Sequence, residues 1–298
     1  MEKNTPQHVL GRQVGYPEHY SPDILVRVPR AENRLKYGID ERQLPFTGAD
    51  LWNCYEVSAL TDKGVPANFI VRIQYPCESR YIVESKSLKL YLFALNMTPC
   101  GATKEEVKEY LTATISKDLS ALLETTVEVA AETPEATASH LHTVPTAENW
   151  ECWGEEQLSA APLSSYTQDT SLLRESPAPG LLQGRTDLLR SRCKITGQPD
   201  WGDLYLYMEG ETLPTVDSLL RYIVSFRNEN HFHEEVVEMI YEALRARFAP
   251  KRLLVMAFYT RRGGIDINPA RASHRALLDQ FCPHLTQFRT RAVKTPRQ

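Results

Sequence analysis

Asn68-Phe69-Ile70-Val71-Arg72-Ile73-Gln74-Tyr75, followed by Pro76-Cys77-Glu78-Ser79 and then by Arg80-Tyr81-Ile82-Val83-Glu84, is the stretch on which the fold turns. β-Branched and aromatic residues dominate both outer runs, and the middle run is a four-residue turn cluster. The pattern predicts two adjacent strands joined as a hairpin. Beyond them, Thr103-Lys104-Glu105-Glu106 has capping-box spacing, a hydroxyl at the helix start and a carboxylate three residues on. Val107, Tyr110, Leu111, Ile115, Leu119 and Leu122 then recur every three or four positions, so one apolar stripe of a helix faces a sheet.

The second half repeats this plan. A strand is expected over Asp203 to Met208, helices near Thr215 to Phe226 and over His233 to Phe248, then strands over Leu253 to Thr260 and near Ile265. Ser87-Leu88-Lys89-Leu90-Tyr91 is echoed by Ser218-Leu219-Leu220-Arg221-Tyr222, 131 positions on. The expectation is an α+β protein of two tandem ββααββ-like modules, each an antiparallel sheet with helices on one face. Bare sheet edges would join module to module and subunit to subunit, so oligomerisation is expected. Ala, Thr, Pro, Ser and Glu crowd residues 131 to 180 and supply few large apolar side chains. This gives modules at 1–135 and 186–298 with a connection at 136–185 that holds at most a short strand.

Composition narrows the function. The 298 residues are 42% hydrophobic and 24% charged, enough for a globular core, and the net charge of −4 offers no basic footprint for a nucleic-acid duplex. A small base-like ligand is the more natural nucleic-acid relative. Leu253 to Tyr259 is the longest apolar run, far short of a membrane span, and Met1-Glu2-Lys3-Asn4-Thr5-Pro6 has no secretory character; a cytoplasmic protein is expected. Cysteines 54, 77, 100, 152, 193 and 282 show no CxxC pairing, which argues against a disulfide framework or a structural zinc site.

Four segments could carry chemistry. Arg192-Cys193-Lys194-Ile195-Thr196-Gly197-Gln198-Pro199-Asp200-Trp201-Gly202 places a thiol and a carboxylate seven residues apart in a polar turn, with cations on both sides of the cysteine. Neighbouring cations favour the thiolate, which makes Cys193 the candidate nucleophile; a small buried cysteine and a solvated aspartate are the plainer reading. Glu84-Ser85-Lys86-Ser87 sets a carboxylate at a strand end before hydroxyls and a lysine, a set that suits paired N–H donors of a purine-like ring and a phosphate or ribose, or else simply opens a helix. Asn228-Glu229-Asn230-His231-Phe232-His233-Glu234-Glu235 opens a helix; two histidines alone are too few for zinc, which needs at least three protein ligands. Tyr259-Thr260-Arg261-Arg262-Gly263-Gly264 joins paired arginines to a glycine turn, able to hold a phosphate or to be an ordinary surface turn.

Taken together, two of these segments carry a resemblance that spacing alone does not supply. Glu84-Ser85-Lys86-Ser87-Leu88-Lys89-Leu90-Tyr91 resembles the signature of the NADPH-dependent 7-cyano-7-deazaguanine reductases, the nitrile reductases of queuosine biosynthesis. Cys193-Lys194-Ile195-Thr196-Gly197-Gln198-Pro199-Asp200-Trp201 resembles that family's Cys-x-x-Thr-x-Gln-Pro-Asp segment. The order of the two, over roughly residues 15 to 268, matches the long, two-module form.

The resemblance implies a tunnelling fold, a homodimer, NADPH as cofactor and no metal. It implies Cys193 as the nucleophile on the nitrile carbon and Asp200 as general acid/base. It places Ile82, Val83, Glu84, His233 and Glu234 at the deazaguanine, and Ser85, Lys86, Arg262 and Gly263 at NADPH, bound outside any Gly-x-Gly-x-x-Gly crevice. Lys194 departs from the pattern, standing where a smaller apolar residue or proline is expected. Two other readings remain: a zinc-dependent pterin- or purine-processing enzyme of the same fold, and a non-catalytic purine-binding protein.

Overall fold

The structure is a computed structural model that describes residues 19–139, 141–143, 150–176 and 178–298. The Met1 to Pro6 reading, and part of the expected connection, lie outside the described residues. Strand β1 (Arg27–Pro29) leads to helix α1 (Ala31–Lys36), β2 (Thr47–Leu60), β3 (Pro66–Pro76), β4 (Tyr81–Val83), α2 (Ser85–Ala94) and α3 (Lys104–Leu123). Next come β5 (Glu128–Glu132), α4 (Pro134–Ser139), β6 (Leu141–Thr143), β7 (Glu151–Cys152), β8 (Glu175–Ser176), β9 (Gly180–Cys193) and β10 (Pro199–Gly210). The chain continues with β11 (Leu213–Pro214), α5 (Val216–Val224), β12 (Asn230–His231), α6 (His233–Phe248), β13 (Arg252–Tyr259) and β14 (Ile265–Ala272), then α7 (Arg275–Phe281), α8 (Pro283–Thr286) and β15 (Ala292–Lys294).

This α+β chain divides into two compact units. Among the described residues, one takes the chain up to Glu32, Leu51–Leu141 and Arg261–Asp266; the other takes Asn33–Asp50, His142–Thr260 and Ile267–Gln298. No helix among the described residues is long and apolar enough to cross a membrane.

In the first unit β3 lies between β2 and β5, with β5 antiparallel from Ile70↔Glu132 to Gln74↔Glu128. Phe69, Val71, Ile73 and Tyr75 are buried, the period-2 set of one strand face. The expected hairpin between 68–75 and 80–84 does not form. Both edges of β3 are already taken, so β4 turns away at Pro76 to Ser79 and pairs antiparallel with β1, Arg27 opposite Val83. Helix α3 starts as read: the Thr103 hydroxyl accepts from Glu106 N at 3.2 Å, while the Glu106 carboxylate reaches back to Ala102 N at 2.8 Å. Val107, Leu111, Ile115, Leu119 and Leu123 form its buried stripe; Tyr110 and Leu122 are only half-buried. Each fully buried aliphatic chain contributes about 1.5–3 kcal/mol.

In the second unit β9 pairs antiparallel with β10, β10 with β13, and β13 with β14. Two short strands join β9 in parallel: β12, with His231 in register with Cys193, and β7, with Glu151 beside Gly184. The sheet is therefore mixed where an antiparallel one was expected. Ordered strand also begins at Gly180, inside the expected connection. Gly184 is what the packing requires there, because the Trp153 indole occupies the space a Cβ would take.

Helix α6 opens with Glu234 and Glu235 and ends with Arg245 and Arg247, the charge order that the helix dipole favours. It buries Val236, Val237, Met239, Ile240, Leu244 and Phe248. Glu238, on its buried side, holds Arg34 (2.8 and 2.9 Å) and Arg271 (2.8 and 3.0 Å), and Arg271 also holds Asp50 at 2.8 Å. Breaking such a buried network by removing one partner costs about 3–5 kcal/mol.

The echo read at 131 positions has a structural counterpart. Glu84 caps α2 by accepting from Lys86 N and Ser87 N, and Thr215 caps α5 by accepting from Ser218 N. Ser87 and Ser218 each donate back to the carbonyl of their own cap residue, at 2.7 and 2.9 Å.

Candidate active site

Cys193 ends β9 and Asp200 lies at the start of β10, across a tight turn closed by Cys193 N to Gln198 O (2.8 Å) and Gly197 N to Cys193 O (3.0 Å). Gly197 takes φ +67°, a left-handed conformation that favours glycine. The register pairs Asp200 with Ser191, Trp201 with Arg190 and Pro199 with Arg192. Successive side chains of a strand point to opposite faces, so Ser191, Cys193 and Asp200 share one face while Arg190, Arg192 and Trp201 share the other. Burial follows that parity: Cys193 is 4% exposed and Asp200 6%, against 38% for Trp201.

Helix α6 supplies the next groups. His233, its first residue, sets Nε2 3.4 Å from Asp200 Oδ2, and its ring stacks on Tyr259 with centroids 3.8 Å apart and planes 11° from parallel. Tyr259 ends β13 and is fully buried; burial, then the charges of Asp200 and Glu234, push its phenol well above the ordinary value. It therefore stays neutral at physiological pH. Glu234, next along the helix, is buried as well. A thiol, a carboxyl, an imidazole and a second carboxylate thus converge within the second unit. They can present a nucleophile, a proton and acceptors for ring N–H donors.

The cations beside the cysteine are engaged elsewhere. Arg192 donates to Asn228 Oδ1 at 2.8 Å, and the Lys194 ammonium sits 2.8 Å from Glu235 Oε1. The other oxygen of Glu235 accepts from Phe232 N at 3.0 Å and faces His231 Nδ1 at 3.3 Å. His231 Nε2 in turn meets Glu229 at 3.1 Å and the Tyr37 hydroxyl at 3.3 Å. Burial would raise the Glu235 carboxyl, but His231, Lys194 and the Phe232 N–H together hold it below its ordinary value. No cluster of three or more His, Cys, Asp or Glu able to hold a metal is present among the described residues.

The remaining expected site residues lie in the first unit. Ile82 and Val83 are core residues of β4. Glu84 is wholly buried, and its two oxygens accept from Lys86 N at 3.0 Å and Ser87 N at 2.6 Å. Each oxygen keeps a further lone pair for a ligand. Ser85 and Lys86, in the first turn of α2, are half-buried. Arg262 closes a tight turn with Ile265, through 2.9 and 3.3 Å backbone bonds, around Gly263 (φ +60°) and Gly264 (φ +77°). A Cβ on Gly263 would fall 2.7 Å from Lys89 Nζ. This turn borders a shallow cleft of about 10 Å³ lined by Cys54, Glu56, Lys89, Phe93, Gly263 and Gly264 with Val57, Leu92 and Ile265.

Sequence reading did not find Tyr259, Ser191, Glu235 or Lys89. Tyr259, Glu235 and Lys89 stand inside the segments quoted above but are given no role of their own there, and Ser191 lies just before the cysteine segment.

The family description "Nitrile reductase, 7-cyano-7-deazaguanine-reductase N-term" matches residues 16–131, and "QueF-like protein" matches residues 199–277. The chain is similar to the NADPH-dependent 7-cyano-7-deazaguanine reductase of Desulfotalea psychrophila, 41% identical over 89% of this chain and 92% of that protein. It is also similar to the protein of the same name from Hahella chejuensis, 38% identical over 94% of this chain and 97% of that one. The apo form of an archaeosine synthase QueF-Like superposes on 33% of this chain and 97% of its own, with a TM-score of 0.29 at 19% identity.

Proposed function

The chain belongs to the NADPH-dependent 7-cyano-7-deazaguanine reductase family, and on that premise we propose that it reduces the nitrile of 7-cyano-7-deazaguanine to an aminomethyl group at the expense of two NADPH, a step of queuosine biosynthesis. The observation that carries the mechanism is the buried set on the β9–β10 hairpin: Cys193 and Asp200 on one face, with His233 3.4 Å from Asp200.

The Cys193 sulfur adds to the nitrile carbon as one C–N π bond opens, and the nitrogen takes a proton. Asp200, protonated at the outset or recharged by the thiol proton, delivers it; the product is a thioimidate on Cys193. His233 and Glu234 hold the ring from α6, and Glu84 offers a buried carboxylate to two neighbouring N–H donors. His233 also fixes the Asp200 carboxyl, and its own plane is set by Tyr259. Burial of the set shields the reacting carbon from water.

The residues assigned to NADPH fit a dinucleotide's phosphates and ribose. At Gly263 and Gly264 the space a Cβ would take is filled by the Lys89 ammonium and the Glu56 carboxylate, and Lys86, Lys89 and Arg262 are three cations of the same unit that suit a phosphate. The cleft beside this turn encloses only about 10 Å³, so the cofactor would lie over it rather than within it. When bound, NADPH supplies the hydrides, two of which make up the four-electron change from nitrile to amine.

The duplicated caps of α2 and α5 support the tunnelling fold as two tandem modules, and the bare strand edges of such modules support a homodimer. A cytoplasmic location and the absence of direct nucleic-acid binding agree with the net charge of −4. The test is intact-protein mass after mixing with 7-cyano-7-deazaguanine and no NADPH. A one-substrate increase in the unsubstituted protein, absent from Cys193→Ala, is expected; an equal increase in both removes Cys193 from the mechanism.

A further inference from the structure

Lys194 is the one position of the cysteine segment that departs from the resemblance, and its contacts account for it. Its ammonium lies 2.8 Å from Glu235 Oε1 and 5.3 Å from the centroid of the Phe232 ring. Glu235 is nearly buried, with a side chain 7% exposed, and is a node. One oxygen holds Lys194, while the other holds Phe232 N and faces His231. Lys194 directly follows the nucleophile; Phe232 directly precedes His233. Backbone pairing makes a parallel link at the same place, with His231 in register with Cys193 and Arg192 N bonded to Glu229 O at 2.8 Å.

We propose that Lys194 and Glu235 are a positioning pair, which fixes the turn after Cys193 against the first turn of α6 and so sets the attacking sulfur against the ring-binding His233 and Glu234. The inference rests on the nitrile-reductase reading only in taking Cys193 as the attacking group. An exposed ion pair contributes little. This one has a nearly buried carboxylate whose other bonds are fixed, so losing Lys194 leaves that carboxylate short of a partner.

The pair is tested with Lys194→Met, Lys194→Arg, Glu235→Gln and the double variant Lys194→Met/Glu235→Gln. Gln at 235 keeps an acceptor for Phe232 N and removes only the charge. Adduct formation at saturating 7-cyano-7-deazaguanine, without NADPH, slows about tenfold in each neutral single variant. The ring's dissociation constant stays within about twofold, Lys194→Arg restores the rate, and the double variant is no slower than the singles. A wild-type rate in Lys194→Met, slowing that Lys194→Arg does not restore, or single effects that multiply in the double variant each overturn the proposal.

Amide exchange gives a readout independent of the reaction. The Cys193 and Gly197 amides, which close the turn, exchange faster in Lys194→Met and Glu235→Gln and not in Lys194→Arg. Unchanged exchange overturns the pair. Faster exchange together with no adduct in the unsubstituted protein strikes the nitrile reading and leaves the pair standing.

Discussion

The Asp200 carboxylate and the His233 imidazole lie 3.4 Å apart, both buried, at the meeting of β10 and α6. A carboxyl in contact with an imidazole can be held in place and recharged with a proton by the same neighbour. Asp200→Asn keeps the shape and removes the proton. Thioimidate formation in a single turnover is expected to fall about 10²–10⁴-fold, with deazaguanine affinity within a few-fold of the unsubstituted protein. Equal rates for the two proteins would take the proton-delivering role from Asp200.

The Tyr259 ring stacks on His233 with centroids 3.8 Å apart, so in the proposed site its contribution is expected to come from the ring and not the hydroxyl. Tyr259→Phe keeps that ring and is expected to keep most of the activity. Tyr259→Ala removes a fully buried aromatic side chain and is expected to cost about 3–5 kcal/mol in urea unfolding, with activity lost in proportion to the freed imidazole. A Phe variant as impaired as Ala would move the weight from the stack to the hydroxyl.

Glu84 has a structural duty as a helix cap and, in the proposed site, a second one in holding the ring, and the two can be separated. Losing its cap bonds to Lys86 N and Ser87 N costs about 0.5–2 kcal/mol of stability. Losing its acceptors for ring N–H donors costs affinity. Glu84→Ala should therefore lower Tm and weaken deazaguanine binding in titration calorimetry by about tenfold or more. Ser87→Ala, which loses the bonds to Val26 N and Glu84 O, should lower Tm alone.

Glu235 gives stability a pH dependence of known sign. Its folded carboxyl is held below the ordinary 4.5, against burial, by His231, Lys194 and the Phe232 N–H. A depressed carboxyl contributes stability that is fully present above the unfolded value and is lost as pH falls through the folded one. The urea midpoint of the unsubstituted protein should drop more between pH 6 and pH 4 than that of Glu235→Gln. Parallel curves would mean that the pair is not formed in solution.

Gly263→Ala adds a methyl group in a left-handed conformation, 2.7 Å from Lys89 Nζ. Gly38→Ala carries the same backbone penalty, φ +75°, with open space around it. Both should lose about 1 kcal/mol of stability. Only Gly263→Ala should weaken NADPH, followed by the cofactor's fluorescence on binding; equal affinity in the two variants would place NADPH away from this turn.

What the sequence made legible was local. Helix α6 was read over His233 to Phe248, the bounds it has, because apolar period and the end charges agree there. The strand read over 203 to 208 is the middle of β10. The choice of partner was not legible: β4 looks like the second arm of a hairpin until β2 and β5 fill both edges of β3. Strands β2 and β9 had no reading at all, although each runs for 14 residues; at Gly184 of β9 the Trp153 ring fills the space of a side chain. In the site, Cys193 and Asp200 stood in a motif and His233 only in a His-x-His pair, while the contacts of Tyr259 with His233 and of Glu235 with Lys194 join elements far apart in sequence, which no local pattern encodes.

The parity of the β9–β10 hairpin also limits how this enzyme can change. Because Cys193 and Asp200 share one face, a slip of the β9–β10 register by one residue would exchange the two faces and turn Asp200 out among the arginines. A longer turn that leaves Ser191 opposite Asp200 keeps both side chains where they are, whether the number of added residues is odd or even. What this face depends on is the pairing of the strands and not the count of residues between them.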